Sequence, residues 1–231
     1  MSTWADLSWW KSVHAKIAKE KLDAEDKSGK TVNPQRSLTF ISLYATPFKT
    51  VRVCLVGQDP YPDPKMCTGL AFSIPKNIPV DKWPASLVNI LTEYTHNTGY
   101  PWPLSGDLSA WTKQGVLLWN CFPSCEAWKP ASHRWPEWEE LTKEIVKKLD
   151  DRGGCVFLFL GAHARKCVDI GLKSPWFTTS HPSPRGYHQG FKGSRIFNVC
   201  NGMLMADLGL TPIDWRLPHA VPSRRKGDST L

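Results

Sequence analysis

The sequence predicts an α/β fold, a mostly parallel sheet covered on both faces by helices. Four short apolar runs have strand length and composition, and amphipathic segments of helical length separate most of them. Neither an internal repeat nor an interdomain linker interrupts the 231 residues, which suits one domain with one sizeable core.

The first element expected is an amphipathic helix over residues 8–25, with Trp9, Val13, Ile17 and Leu22 near helical spacing. Residues 26–36, rich in Lys, Gly and Pro, read as a loop. Residues 51–56 form the first strand, stopped abruptly by Gly57 and Pro60. A helix over 86–97 has Leu87, Ile90, Leu91 and Tyr94 on its apolar face, and Ser86 is placed to cap it. Residues 116–119 are the second strand. The helix over 136–149 carries Pro136 at its start and Lys147-Lys148 near its end, as the helix dipole favours. Residues 156–160 and 176–179 complete the strands. No Gly-x-Gly-x-x-Gly and no Gly-Lys-Ser/Thr loop follows any of them, so a nucleotide cofactor has no support.

Hydrophobic content of 41% is ordinary for a soluble globule, and most of the 12 tryptophans read as packing residues. No apolar run approaches the roughly 20 residues of a membrane span, and Met1-Ser-Thr-Trp-Ala lacks the basic-then-apolar order of a secretory signal. The expectation is an intracellular protein without a membrane partner, cytoplasmic, or nuclear in a eukaryotic or viral setting. A net charge of +8 and a sequence pI near 9.1 suit a phosphate backbone as partner. Residues 218–231, with the triplet Arg224-Arg225-Lys226, read as a disordered basic tail after a domain spanning 1–217. Seven scattered cysteines, an odd number and several in apolar runs, read as buried thiols rather than disulfides. Cys121 and Cys125 are the one close pair, and no second pair at metal-ligand spacing supports them.

The chemistry concentrates in two clusters. Gly57-Gln-Asp-Pro-Tyr61 follows the first strand and His181-Pro-Ser-Pro184 follows the last. Polar groups at the carboxyl ends of such strands usually face a ligand. Together the clusters resemble the best-known motifs of the family 1 uracil-DNA glycosylases. Gly69-Leu-Ala-Phe-Ser73, Gln114-Gly-Val-Leu-Leu118 with Asn120, and Thr211-Pro-Ile-Asp-Trp215 fall in family order at family-like separations, so the resemblance covers roughly residues 11–217. It implies a single three-layer α/β/α domain with a short, mostly parallel central sheet. The activity implied is a monomeric, monofunctional hydrolase that flips uracil out of single- or double-stranded DNA, releases it and leaves an abasic site. Neither metal nor cofactor is implied, and four thiolates spaced for an iron–sulfur cluster are not evident.

By the same resemblance, Asp59 would stabilise the oxocarbenium-like sugar and orient water, and His181 would hydrogen-bond the departing uracil anion. An Asp before Pro also forms turns, and a His after a strand is often a polar cap. Asn120 has the donor and acceptor to match uracil and reject cytosine, although an Asn ending an apolar run also suits a turn. Phe72 would stack on the base, Tyr61 would exclude the methyl group of thymine, and Gln58 would orient its loop and contact the base through its backbone. Ser86, Gly161, Ser183 and Arg185 would meet the DNA backbone, with Ser86 and Ser183 equally able to act as caps.

Three positions depart from the family pattern. Pro62 stands where a His is usual, Ala162 replaces the serine of a Gly-Ser loop, and Arg185 replaces a leucine wedge. A proline at the first of these resembles the poxvirus branch, whose protein also serves a replication complex. An alternative expectation is therefore a catalytically weak homologue kept as a DNA-binding or replication-scaffold subunit. Sensitivity to a proteinaceous uracil-DNA glycosylase inhibitor is a further expectation of the family.

Overall fold

A computed structural model describes Trp4 and residues 12–219. In chain order its main elements are α1 (Val13–Lys27), β1 (Val32–Asn33), α2 (Ile41–Ala45), β2 (Val53–Gly57), α3 (Ala85–Thr98), α4 (Ser109–Thr112), β3 (Val116–Asn120), β4 (Cys125–Glu126), α5 (Pro136–Arg152), β5 (Val156–Leu160), α6 (Ala162–Cys167), β6 (Trp176–Thr179), α7 (Pro184–Gly186) and α8 (Ile196–Ala206). Four strands form one parallel sheet in the order β3-β2-β5-β6, and β1 pairs antiparallel with β4 beside it.

Alternation along the strands builds two cores. Cys54 and Val56 of β2, Leu117 and Trp119 of β3, and Phe157 and Phe159 of β5 point to one face, where Leu22 of α1 and Trp138, Leu141 and Ile145 of α5 cover them. Val53, Leu55, Val116, Leu118, Val156 and Leu158 point to the other, under Leu87, Ile90 and Leu91 of α3 and Phe197 and Leu204 of α8. The three expected layers are present, and β2, β5 and the edge strand β3 are buried on both faces, hence their unbroken apolar runs. Strand β6 is the half-exposed edge.

Several local expectations need correction. Ser12 caps α1 by accepting from the Ala15 amide at 3.1 Å, so that helix starts at Val13 rather than residue 8. Its buried stripe is Ala15, Ala18 and Leu22, which leaves Val13 exposed, while Trp9 lies outside the described residues. The expected loop over 26–36 includes the last turn of α1 and the two residues of β1. Ser86 is not the cap of α3: Pro84 holds that position and Ser86 sits in the first turn. In α5 the basic residue of the last turn is Arg152, which packs on the Phe48 ring and donates to the carbonyls of Phe48 and Val51. Six cysteines are buried and Cys67 only partly, all of them free thiols. Tryptophans 4, 83, 111, 119, 138 and 215 are buried, whereas Trp102, Trp128 and Trp176 are exposed. No described helix is long and apolar enough to cross a membrane. Residues 220–231 of the expected tail lie outside the described residues.

Candidate active site

The carboxyl ends of β2, β3 and β6 meet at one cavity of about 120 Å³. Register sets the first pair: Gly57, the last residue of β2, lies opposite Asn120, the last of β3. A Cβ at position 57 would stand 2.6 Å from Asn120 Oδ1 and 2.9 Å from Phe72 Cε2, so only glycine lets amide and ring close on each other. Asn120 is buried, lines the cavity, and has no hydrogen-bond partner for its side chain among the described residues. A buried amide left free in this way is poised for a ligand.

The segment after β2 makes the next wall. The Ala71 amide donates to Leu118 O at 3.1 Å, hooking residues 69–73 onto β3. Phe72 then takes a left-handed φ of +64°, unusual for an aromatic residue, which turns its ring into the cavity. The Tyr61 phenol donates to Phe72 O at 3.1 Å, and burial pushes its pKa up, so it stays a neutral donor. Ser86 lines the same cavity beside this phenol.

Asp59 is held by two donors. The Ala131 amide reaches Oδ2 at 2.6 Å, and Gln58 Nε2 reaches Oδ1 at 3.0 Å. The loop carrying Asp59 is itself hung on its carbonyls. Asn33 Nδ2 donates to Pro62 O at 2.7 Å and Tyr61 O at 3.3 Å, the Trp128 amide donates to Pro62 O at 2.7 Å, and the Cys67 thiol donates to Tyr61 O at 2.9 Å. Asn33, Ala131 and Cys67 carry no signal in the sequence, because each bond has a main-chain group on one side: the N–H of Ala131, and the carbonyls that Asn33 and Cys67 meet.

His181 follows β6. The Ser183 amide donates to its Nδ1 at 3.0 Å, so the proton of the neutral ring sits on Nε2. Burial lowers the His181 pKa below its usual 6.5; Asp59 pulls the other way and His163 adds to the depression. The ring is therefore neutral at pH 7, and its centroid lies 5.9 Å from that of Phe72. Gly186 is required here, since a Cβ would stand 2.0 Å from His181 O.

Of the expected site residues, the structure brings Asp59, Tyr61, Phe72, Asn120, Ser86 and His181 around one space. Gln58 is not among the lining residues, and its side-chain amide bonds Asp59 within the same loop. Gly161, at φ +106°, backs His181, with its absent Cβ 3.0 Å from His181 Cβ. Ser183 caps α7, accepting from the Gly186 amide at 3.3 Å. Arg185 is exposed beside them. Among the described residues no group of three His, Cys, Asp or Glu is placed to hold a metal ion.

The family model of the uracil DNA glycosylase superfamily matches residues 45–204. The chain belongs to that superfamily. It is similar to the uracil-DNA glycosylase of Thermobifida fusca, 41% identical over 85% of this chain and 85% of that protein. Uracil-DNA glycosylase 1 of Streptomyces coelicolor is 42% identical over 86% of this chain and 87% of its own. The uracil-DNA glycosylase of Coxiella burnetii is 36% identical over 96% of this chain and 100% of its own. Among solved structures, that of mimivirus uracil-DNA glycosylase superposes with a TM-score of 0.81 at 25% identity, covering 93% of this chain and 86% of that one. A variant of the mimivirus protein in complex with UGI superposes at 0.80.

Proposed function

We propose that this superfamily member hydrolyses the N-glycosidic bond of uracil in DNA, releasing free uracil and leaving an abasic site. The observation that carries the reading is the free, buried Asn120 amide facing Phe72, Tyr61, Asp59 and a neutral His181 across a space sized for one heterocycle. An apolar cavity of roughly 150 Å³ takes a benzene ring, so about 120 Å³ suits a pyrimidine and little more. A base in a duplex reaches such a space only by leaving the stack.

In this reading Asn120 accepts from uracil N3–H and donates to O4, a pattern cytosine reverses. Phe72 stacks on the ring, and Tyr61, fixed through its bond to Phe72 O, fills the space a thymine methyl would need. As the bond between the sugar and N1 breaks, its electron pair passes to uracil. The Nε2–H of neutral His181 donates to the oxygen where that charge gathers. Asp59 stabilises the cationic sugar and accepts the proton of the attacking water, whose oxygen forms the new bond to the sugar. The ligands of Asp59, Ala131 N and Gln58 Nε2, fix its orientation.

Ser86, Gly161, Ser183 and Arg185 are the proposed backbone contacts. Pro62, Ala162 and Arg185 bear on rate and strand preference: with a cation where an apolar wedge is usual, single-stranded DNA is the easier substrate because extrusion costs less. The protein works as a monomer without metal or cofactor, and an inhibitor of the UGI kind is a candidate partner for the same face. The scaffold alternative is not favoured, since a DNA-binding subunit has no need for a neutral His and a free Asn facing one cavity.

The test uses end-labelled oligonucleotides with one uracil, single-stranded and duplex, incubated in EDTA and then treated with alkali. Alkali-dependent cleavage at uracil and not at thymine is expected, slowed about 100-fold or more by Asp59→Asn. DNA binding without cleavage on either substrate would overturn the enzyme reading and restore the scaffold.

A further inference from the structure

We propose that Trp128 is a stacking platform for a base of the DNA strand adjacent to the extruded nucleotide. The proposal rests on the glycosylase reading and adds to it a binding position outside the uracil cavity. Most tryptophans described are buried in the two cores, but Trp128 is 67% exposed. It occupies the third position of a four-residue turn closed by the Lys129 amide on Glu126 O at 3.0 Å, with φ at +65°. Turns of that kind favour Gly or Asn there, because a left-handed backbone crowds any larger residue. Packing therefore gives no reason for tryptophan at this position, and strained positions of this sort concentrate at functional sites.

The turn is fixed on every side. The Trp128 amide donates to Pro62 O at 2.7 Å, Ala127 to Thr31 O at 2.8 Å, and the Glu126 amide to Ser132 Oγ at 2.7 Å. It is also continuous with the site. Pro62, whose carbonyl anchors Trp128, and Pro130 both line the cavity, and Ala131 in the same loop as Trp128 holds the Asp59 carboxylate. A nucleotide entering the cavity draws its neighbours over this rim. Those neighbours are unstacked on at least one face, and a rigid exposed indole offers that face a sequence-tolerant partner. In sequence Trp128 stands between Ala127 and Lys129, with Glu126 and Pro130 next to them, and no second large apolar side chain adjoins it to make a patch, which favours a single base over a protein surface.

Uracil release and binding, the latter by fluorescence anisotropy, are compared for the wild type, Trp128→Ala and Trp128→Phe. One single-stranded oligonucleotide carries uracil between normal nucleotides; the other carries it between abasic tetrahydrofuran residues. On the first, Trp128→Ala is expected to lose about 10-fold in kcat/KM, mainly through KM, and Trp128→Phe to recover most of it. On the second, wild type and Trp128→Ala should agree within about 2-fold. Equal activity on the first substrate, or equal loss on both, overturns the proposal: the former leaves the ring to a protein partner, the latter to a structural role through Pro62. Should the wild type release no uracil, the glycosylase reading fails, while anisotropy with the same two oligonucleotides still decides whether the ring stacks on bases.

Discussion

At the residue scale, the shape of the cavity depends on what is absent at position 57. A methyl group there meets the Asn120 amide and the Phe72 ring at under 3 Å, and both line the cavity. Gly57→Ala is therefore expected to cost about 1–3 kcal/mol in kcat/KM, roughly 5- to 150-fold, measured as steady-state uracil release from a single-stranded oligonucleotide. An unchanged rate would mean that amide and ring do not have to close on the base together. That Asp59, Tyr61, Asn120 and His181 share one cavity was legible because each lies in a motif at or just after a strand end, and Phe72 was found through its loop motif. Asn33 and Ala131 were not. Asn33 contributes an amide to carbonyls 28 and 29 residues away, and Ala131 contributes only its N–H to a carboxylate 72 residues away. No residue type is demanded for the main-chain donor at 131 or for the carbonyls that Asn33 meets, so no pattern marks either bond.

At the scale of elements, strand ends deliver the chemistry and short side elements hold it in place. The pair β1–β4 is only two residues long on each side, yet β1 supplies Asn33 and β4 leads into the loop that carries Ala131. Removing the Asn33 side chain leaves Pro62 O with one donor instead of two. Asn33→Ala is expected to lower kcat about 10-fold and destabilise the fold by about 1–2 kcal/mol, read by steady-state kinetics and urea unfolding. A fall in stability with kcat intact would separate the pairing of β1 from the placement of Asp59. The four principal strands and the helices α3 and α5 were legible because apolar runs and helical periodicity are local. Helix α8 was not foreseen: its sequence is apolar nearly all round, and its cap is remote. Buried Glu93 of α3 accepts from the Gly193 and Arg195 amides at 2.8 Å each, doing from another helix what a local Ser or Asp does elsewhere.

For the whole molecule, two histidines tie stability to pH. Burial lowers the pKa of His181, and it does the same to His133, which is packed on Trp135 with Nδ1 3.0 Å from Ser124 Oγ. Glu25 and Glu126 pull His133 upward and Lys30 adds to the depression, but burial prevails. Both rings stay neutral in the native state at pH values where the unfolded chain is already binding protons. Stability is therefore full above about 6.5 and falls as pH drops from there through the native-state pKa values. Urea unfolding at pH 7.5 and 5.5 should show lower stability at the acid end, with a smaller difference in His133→Gln; an identical difference would remove His133 from the account. The same global view explains how position 62 tolerates a residue foreign to the family pattern. Asn33 and Trp128 grip this residue by its carbonyl, a group every amino acid possesses, and proline gives up only an N–H. Fastened in that manner, the turn keeps its path whichever side chain it displays at 62, so an exchange there alters what the residue presents to the cavity it lines and leaves the aim of the Asp59 carboxylate unchanged.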